Sequence, residues 1–175
     1  MLLGEFLDDL PTSFRARLNW LRSLLFHTPN FSFITPDLAL GGRTPHASIY
    51  GKHGIGCVVY VYEEDRGGME GLLRSGIECL PVQVTDRSPP EMGQIDGVLG
   101  WINARRAAGK KVCVCCRLGK GRSATIVLAY LVDQGMDPQE ALTVVKKRWP
   151  MVHPNRDQME AVERYYGRKT RRVQS

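Results

Sequence analysis

Long apolar runs are missing from this 175-residue chain. No stretch reaches the roughly eighteen consecutive apolar residues that a membrane-spanning helix needs. The first residues also lack a basic segment in front of an apolar core, and Asp8 and Asp9 interrupt their leucines. These absences argue against a membrane span and against a secretory signal. We therefore expect a cytoplasmic protein.

Cysteine and histidine are too few and too unevenly placed for a disulfide or metal framework. Five cysteines are present, an odd number, and three of them crowd into positions 113, 115 and 116. A disulfide framework needs dispersed pairs, so a reducing compartment is favoured. The four histidines are scattered and supply no ligand pair at zinc-finger spacing. We expect no metal and no other cofactor, and we expect Cys57 and Cys113 to be small buried residues on strands.

Stripes of basic residues interleaved with aromatic residues are absent as well, which argues against a nucleic-acid partner. The formal net charge is nevertheless +6. Part of this excess lies at the end of the chain, and part surrounds one glycine-rich segment. An apolar content of 43% and a charged content of 24% are ordinary for a single globular domain.

That glycine-rich segment, residues 112–123, is the most informative part of the chain. An apolar run ends at Cys116, a loop with two glycines follows, and a helical pattern begins at Arg122 and Ser123. Inward-facing N–H groups of such a loop, together with the free N–H groups at the helix start, form a cradle for a tetrahedral dianion. Arg122 could grip two oxygens of that anion. The positive field favours a thiolate at Cys116, which makes it a nucleophile, and Ser123 could donate a hydrogen bond to the sulfur.

A nucleophile that attacks a phosphate ester needs a partner acid for the leaving oxygen. Asp86 is the candidate, because an alternating apolar run ends there and a proline-stiffened loop follows. Glu91 is the substitute acid to test. Asp96 is a weaker candidate, since it falls on the next predicted helix.

The spacing Cys-x5-Arg-Ser, with its flanking strand and helix, resembles the cysteine-dependent protein tyrosine phosphatase superfamily, and its surroundings resemble the dual-specificity branch. The resemblance implies a phosphocysteine on Cys116, a phosphoryl group held by Arg122, and Asp86 as general acid. It implies substrate contacts from the rest of the loop, namely Arg117, Leu118, Gly119, Lys120 and Gly121. The segment 154–158 resembles the family's entry to its last helix, where Gln158 would help to order the hydrolytic water and Asn155 would cap the helix.

One residue departs from the family pattern. The position before the nucleophile is normally histidine, and here it is Cys115. A working enzyme is expected, and a non-catalytic phosphate-binding pseudophosphatase is the alternative. If the Cys116 thiolate were oxidised, then Cys115, Cys57 or Cys79 would be the thiols available to resolve it.

Substrate class is left open between two kinds of phosphomonoester. The resemblance to the dual-specificity branch implies phosphotyrosine and phosphoserine or phosphothreonine in proteins. Lys120 between two glycines resembles the loop of phosphoinositide phosphatases, and Arg117 and Arg87 add charge nearby, so inositol lipids or other polyphosphorylated small molecules are the second class. An RNA 5′-phosphatase lacks support in the absence of a basic-aromatic stripe.

The periodicity predicts an α/β fold with a central mixed, largely parallel sheet of four to five strands and helices on both faces. We expect an amphipathic N-terminal extension over 1–29, a phosphatase-like domain over 30–166, and a loose basic tail over 167–175. The extension would be a helix over 12–26 with its apolar residues at 14, 18, 21, 24 and 25. It would pack on the domain or, alternatively, contact a membrane surface. A monomer is expected.

Overall fold

The computed structural model describes residues 11–64 and 68–174. Within these ranges the chain forms one five-stranded sheet in the order β1-β2-β5-β3-β4. The strands are β1 (Phe31–Thr35), β2 (Leu38–Gly42), β3 (Ile55–Tyr62), β4 (Glu78–Gln83) and β5 (Lys111–Cys116). The β1–β2 pair is antiparallel, and the other pairs are parallel. The predicted mixed, largely parallel sheet is therefore confirmed.

Seven helices are present among the described residues: α1 (Thr12–Phe26), α2 (Ser48–Lys52), α3 (Gly68–Arg74), α4 (Met92–Ala107), α5 (Arg122–Asp133), α6 (Pro138–Arg148) and α7 (Arg156–Gln174). Helices α2 and α3 contribute to a small core on one face of the sheet, and α4 to α7 contribute to a larger core on the other. Asp137 caps α6 by accepting a hydrogen bond from the backbone N–H of Gln139 at 2.8 Å. None of the helices within 11–64 and 68–174 is long and apolar enough to span a bilayer.

Strand β5 lies in the middle of the sheet and divides its side chains between the two cores. Val112, Val114 and Cys116 belong to the larger core, whereas Cys113 and Cys115 belong to the smaller one. This division follows from the two-residue period of a strand. It places Cys116 at the carboxyl end of a buried central strand, directly before the loop that leads into α5.

The C-terminal region differs from expectation. The segment 167–174 continues helix α7 instead of forming a loose tail. Two cations of this segment hold it against the domain. Arg168 pairs with Asp96 of α4, and Lys169 donates to Asp133 of α5 at 2.9 Å. Ser175 lies outside the described residues, and so does the start of the predicted N-terminal extension, residues 1–10.

Helix α1 has the predicted bounds but buries a different face. Ala16 and Ser23 are buried, whereas Phe14, Leu25 and Phe26 are 53%, 61% and 70% exposed. Contact with the domain is made by small and polar groups, including an Asn19–Asn30 side-chain hydrogen bond of 3.0 Å. Helix α1 therefore packs on the domain, which is one of its two predicted placements, but much of its apolar face is exposed.

Candidate active site

The sulfur of Cys116 lies inside a pocket of hydrogen-bond donors. Its Sγ accepts from the backbone N–H of Gly119 at 3.3 Å and from the Ser123 hydroxyl at 3.1 Å. Cys116 is 4% exposed and Ser123 is fully buried. Two donors aimed at one sulfur stabilise negative charge on it, so the arrangement suits a thiolate nucleophile.

The loop from residue 116 to 122 can close around that sulfur only because Gly119 has no side chain. Its φ of +71° lies in the left-handed region that favours glycine, and a Cβ there would overlap the backbone of Gly41 and Gly42. Strand β2 runs beside β5 with Gly42 opposite Cys116. Gly41 and Gly42 end β2 and form the wall against which the loop from residue 116 to 122 packs.

Two contacts from the segment after α6 hold the outside of the loop. The indole N–H of Trp149 donates to the Gly119 carbonyl oxygen at 3.0 Å, and the backbone N–H of His153 donates to the Lys120 carbonyl oxygen at 2.9 Å. These bonds draw the carbonyl oxygens outward, away from the volume a phosphate would fill. Sequence reasoning missed Trp149, because no spacing connects it to the loop.

Arg122 and Asp86 meet at the mouth of the site. The Arg122 guanidinium donates to the Val84 carbonyl oxygen at 3.1 Å, and its Nη2 lies 3.0 Å from Asp86 Oδ1. The Arg122 side chain is 7% exposed, whereas that of Asp86 is 57% exposed. A buried guanidinium and an accessible carboxyl group therefore lie beside the same loop. A phosphate-binding group needs the first property, and a proton donor needs the second.

The substitute acids are engaged elsewhere. Glu91 caps α4 through a reciprocal capping box with Gln94. Asp96 pairs with Arg168 on α7. Of the three candidate carboxyl groups, Asp86 is the one in contact with Arg122.

The start of α7 connects the loop that carries Asp86 with the loop from residue 116 to 122. Asn155 and Gln158 form a capping box, with backbone-to-side-chain bonds of 2.9 and 3.0 Å. The Asn155 side-chain amide also donates to the Arg87 carbonyl oxygen at 2.6 Å, and that of Gln158 donates to the Ser88 carbonyl oxygen at 3.2 Å. A Cβ on Gly121 would lie 2.5 Å from Gln158 Oε1. The predicted helix cap is present, and it also positions the acid loop, which the sequence did not reveal.

Cations surround the mouth of the site. Arg117 and Arg87 are exposed, and Lys120 is partly buried. Burial, and then repulsion from Arg87, lowers the pKa of Lys120. Lys120 and Arg87 therefore lie close enough to repel each other, and negative charge bound between them would reduce that repulsion. Leu118, the remaining predicted loop residue, is partly buried against the larger core.

Cys115 points away from the reacting sulfur. It lies in the smaller core, and burial raises its pKa to about 12. None of the five cysteines forms a disulfide, and Cys57 and Cys113 are buried strand residues as expected. Among residues 11–64 and 68–174, no group of three or more His, Cys, Asp or Glu side chains is arranged to hold a metal ion.

Comparison with known proteins adds independent information. Residues 41–168 match the family described as "Dual specificity phosphatase, catalytic domain". The chain is 37% identical over 118 residues to protein phosphatase Slingshot of Drosophila melanogaster, covering 66% of this chain and 11% of the relative. It is 37% identical over 87 residues to the phosphatidylglycerophosphate phosphatase PTPMT1 of Arabidopsis thaliana, covering 49% of this chain and 26% of the relative. The chain thus spans well under two thirds of these curated relatives.

A solved structure agrees with these sequence matches. The crystal structure of Tk-PTP in the active form superposes with a TM-score of 0.73 and 29% sequence identity, covering 80% of this chain and 98% of that one.

Proposed function

This chain belongs to the dual specificity phosphatase family, and on that basis we propose that it hydrolyses phosphomonoesters of proteins through a phosphocysteine intermediate. The observation that supports this most directly is the constellation around one loop. Cys116 Sγ receives two hydrogen bonds, and Arg122 and Asp86 lie 3.0 Å apart beside it.

In the first step, the Cys116 thiolate attacks phosphorus and the bond from phosphorus to the ester oxygen breaks. Asp86 gives its proton to that oxygen, so the leaving group departs as a neutral alcohol or phenol. Arg122 and the loop N–H groups hold the three other phosphoryl oxygens as charge shifts in the transition state.

In the second step, water attacks the phosphocysteine. Asp86, now ionised, accepts a proton from the water, and Cys116 leaves as a thiolate that Ser123 stabilises. Gln158 lies against Gly121 and is 2% exposed. We assign it the positioning of the acid loop, and assistance to the hydrolytic water is the additional role to be tested.

A second candidate substrate class is the phosphoinositides and other polyphosphorylated small molecules. Arg117, Lys120 and Arg87 give the mouth of the site three cations. Multiply charged substrates would gain from this field more than a singly phosphorylated peptide does. Peripheral contact with a lipid surface fits the same alternative, since α1 presents Phe14, Leu25 and Phe26 to solvent. We place the protein in the cytoplasm as a monomer.

Phosphate release from p-nitrophenyl phosphate tests the enzyme against the pseudophosphatase. The wild type is expected to turn over and Cys116→Ser to be inactive, while Cys79→Ser, which changes a thiol away from the loop, keeps its activity. A wild type without turnover between about pH 5 and 8 would contradict the proposal. A panel of phosphopeptides and inositol lipids in vesicles then ranks the two substrate classes by kcat/KM.

A further inference from the structure

A cavity of about 150 Å³ lies beside Cys115, on the face of the sheet that holds the smaller core. Its walls come from the segment after β2, from α2 and α3, and from strands β3 and β5. Cys116 belongs to the opposite core, so this cavity is separate from the catalytic loop. Cavities of about this volume hold a molecule of six heavy atoms, and a phosphate ion has five.

Two hydroxyl groups on the wall of this cavity are buried close to one another and to Cys115, and neither makes a well-formed hydrogen bond. They are Thr44 Oγ1 and the Tyr50 hydroxyl oxygen. Thr44 is 6% exposed and Tyr50 is 1% exposed. Buried polar groups in folded proteins are almost always paired. Two such hydroxyl groups on one cavity leave hydrogen-bonding capacity that a polar ligand would satisfy.

The charged residues around the cavity favour a negatively charged ligand. Arg43 lines it, and a Cβ on Gly68 would lie 3.3 Å from Arg43 Nη1 and 2.5 Å from the Tyr60 hydroxyl oxygen. No acidic residue is among the described lining residues. Burial raises the pKa of Tyr50 and of the Cys115 thiol, so both stay neutral and able to donate. A guanidinium, hydroxyls and a thiol together form a set of donors suited to an anion.

We propose that this cavity is a second oxyanion site, distinct from the catalytic loop, and that it takes a free ion of the size of inorganic phosphate. Arg43 supplies the charge, and Thr44 and Tyr50 donate their unpaired hydroxyl protons to the oxygens. The cavity is too small for a phosphorylated peptide or an inositol phosphate, which excludes substrate as the occupant. Binding here needs no turnover, so it stands apart from the proposed catalytic function.

Titration of the ¹⁵N-labelled full chain with inorganic phosphate, followed by amide chemical shifts, tests the proposal. Two separate groups of amides are expected to move, one near Gly119 and Gly121 and one near Thr44 and Ala47. Arg43→Met should abolish the second group and leave the first. Lys52→Met, which removes a cation of α2 outside the cavity lining, should leave both groups unchanged.

Two further variants test the donors and the space. Tyr50→Phe keeps the ring but removes the hydroxyl. It should raise the Kd of phosphate at the second site about tenfold, because one hydrogen bond to a charged group is lost. Cys115→His should fill the cavity with an imidazole and close the second site. Movement of the catalytic-loop amides alone in the wild type, or persistence of the second group in Arg43→Met, would overturn the proposal. Arg43→Met should hydrolyse p-nitrophenyl phosphate like the wild type, so loss of the second site and loss of catalysis are separately observable.

Discussion

The carboxyl group of Asp86 is the feature whose removal gives the sharpest test of the mechanism. Asp86→Asn keeps the shape and keeps an oxygen that can accept from Arg122, but it removes the transferable proton. General acid catalysis contributes a factor of about 10²–10⁴, which corresponds to about 3–5 kcal/mol of barrier. We expect kcat to fall within that range for substrates whose leaving oxygen is strongly basic.

The same substitution should change stability little. Asp86 is 57% exposed in its pair with Arg122, and exposed ion pairs contribute at most about 1 kcal/mol. Arg122 keeps its hydrogen bond to the Val84 carbonyl oxygen. A large loss of activity with an almost unchanged midpoint of thermal unfolding therefore reports on chemistry and not on folding.

The assay is a series of aryl phosphates whose phenols differ in acidity. Phenyl phosphate needs a proton at its leaving oxygen far more than p-nitrophenyl phosphate does, so the Asp86→Asn defect should grow with the pKa of the phenol. Glu91→Gln is the control, since it weakens the cap of α4 by about 1 kcal/mol and should not alter this dependence. An equal loss for all leaving groups in Asp86→Asn, or a leaving-group dependence in Glu91→Gln, would refute the assignment.

Two further predictions follow from contacts away from the sulfur. Asn155→Asp keeps the helix cap but loses the amide that donates to the Arg87 carbonyl oxygen. We therefore expect normal thermal stability with a several-fold lower kcat on phenyl phosphate and a smaller loss on p-nitrophenyl phosphate, and equal losses on both substrates would contradict this. Arg106 lowers the pKa of Asp37 by hydrogen bonding to its carboxylate. The pair thus stabilises the fold above the unfolded-state pKa of about 3.9, and the contribution disappears as the pH falls through the lower folded-state pKa. Denaturant unfolding should show Asp37→Asn less stable by about 1 kcal/mol at pH 7 and equal to the wild type in strong acid, whereas a constant difference would rule out the titration of Asp37 as its cause.

Local pattern was enough to predict much of this fold. The apolar run before the glycine loop predicts strand β5, and Asp137 followed by Pro138 is a pattern typical of the helix start found at α6. The exposed face of α1 could not be predicted in this way. Periodicity showed that Phe14 and Leu21 share a side of the helix, but which side contacts the domain depends on Asn30 and on the segment that follows α1.

The C-terminal tail shows the same limit. Its basic residues predict a loose segment, because the acidic residues that pair with them lie far away in the sequence. Asp96 and Asp133 belong to α4 and α5, and only the packing of these helices beside α7 brings the charges together. Pairs separated by dozens of residues leave no trace in local composition.

The sequence by itself determined the residues on which the proposed chemistry rests: a cysteine, an arginine and a serine at a fixed spacing, with an aspartate upstream. Few functions other than phosphate binding fit those residue types in one loop, because the local backbone geometry of the loop by itself forms an anion-binding site. Only the tertiary structure decided that Gly41 and Gly42 form the wall of the loop, that Trp149 and Asn155 hold its surroundings in place, and that a second cavity lies behind Cys115. These features depend on which strands are neighbours and which hydroxyls lack partners, and both are fixed by packing between segments distant in the chain.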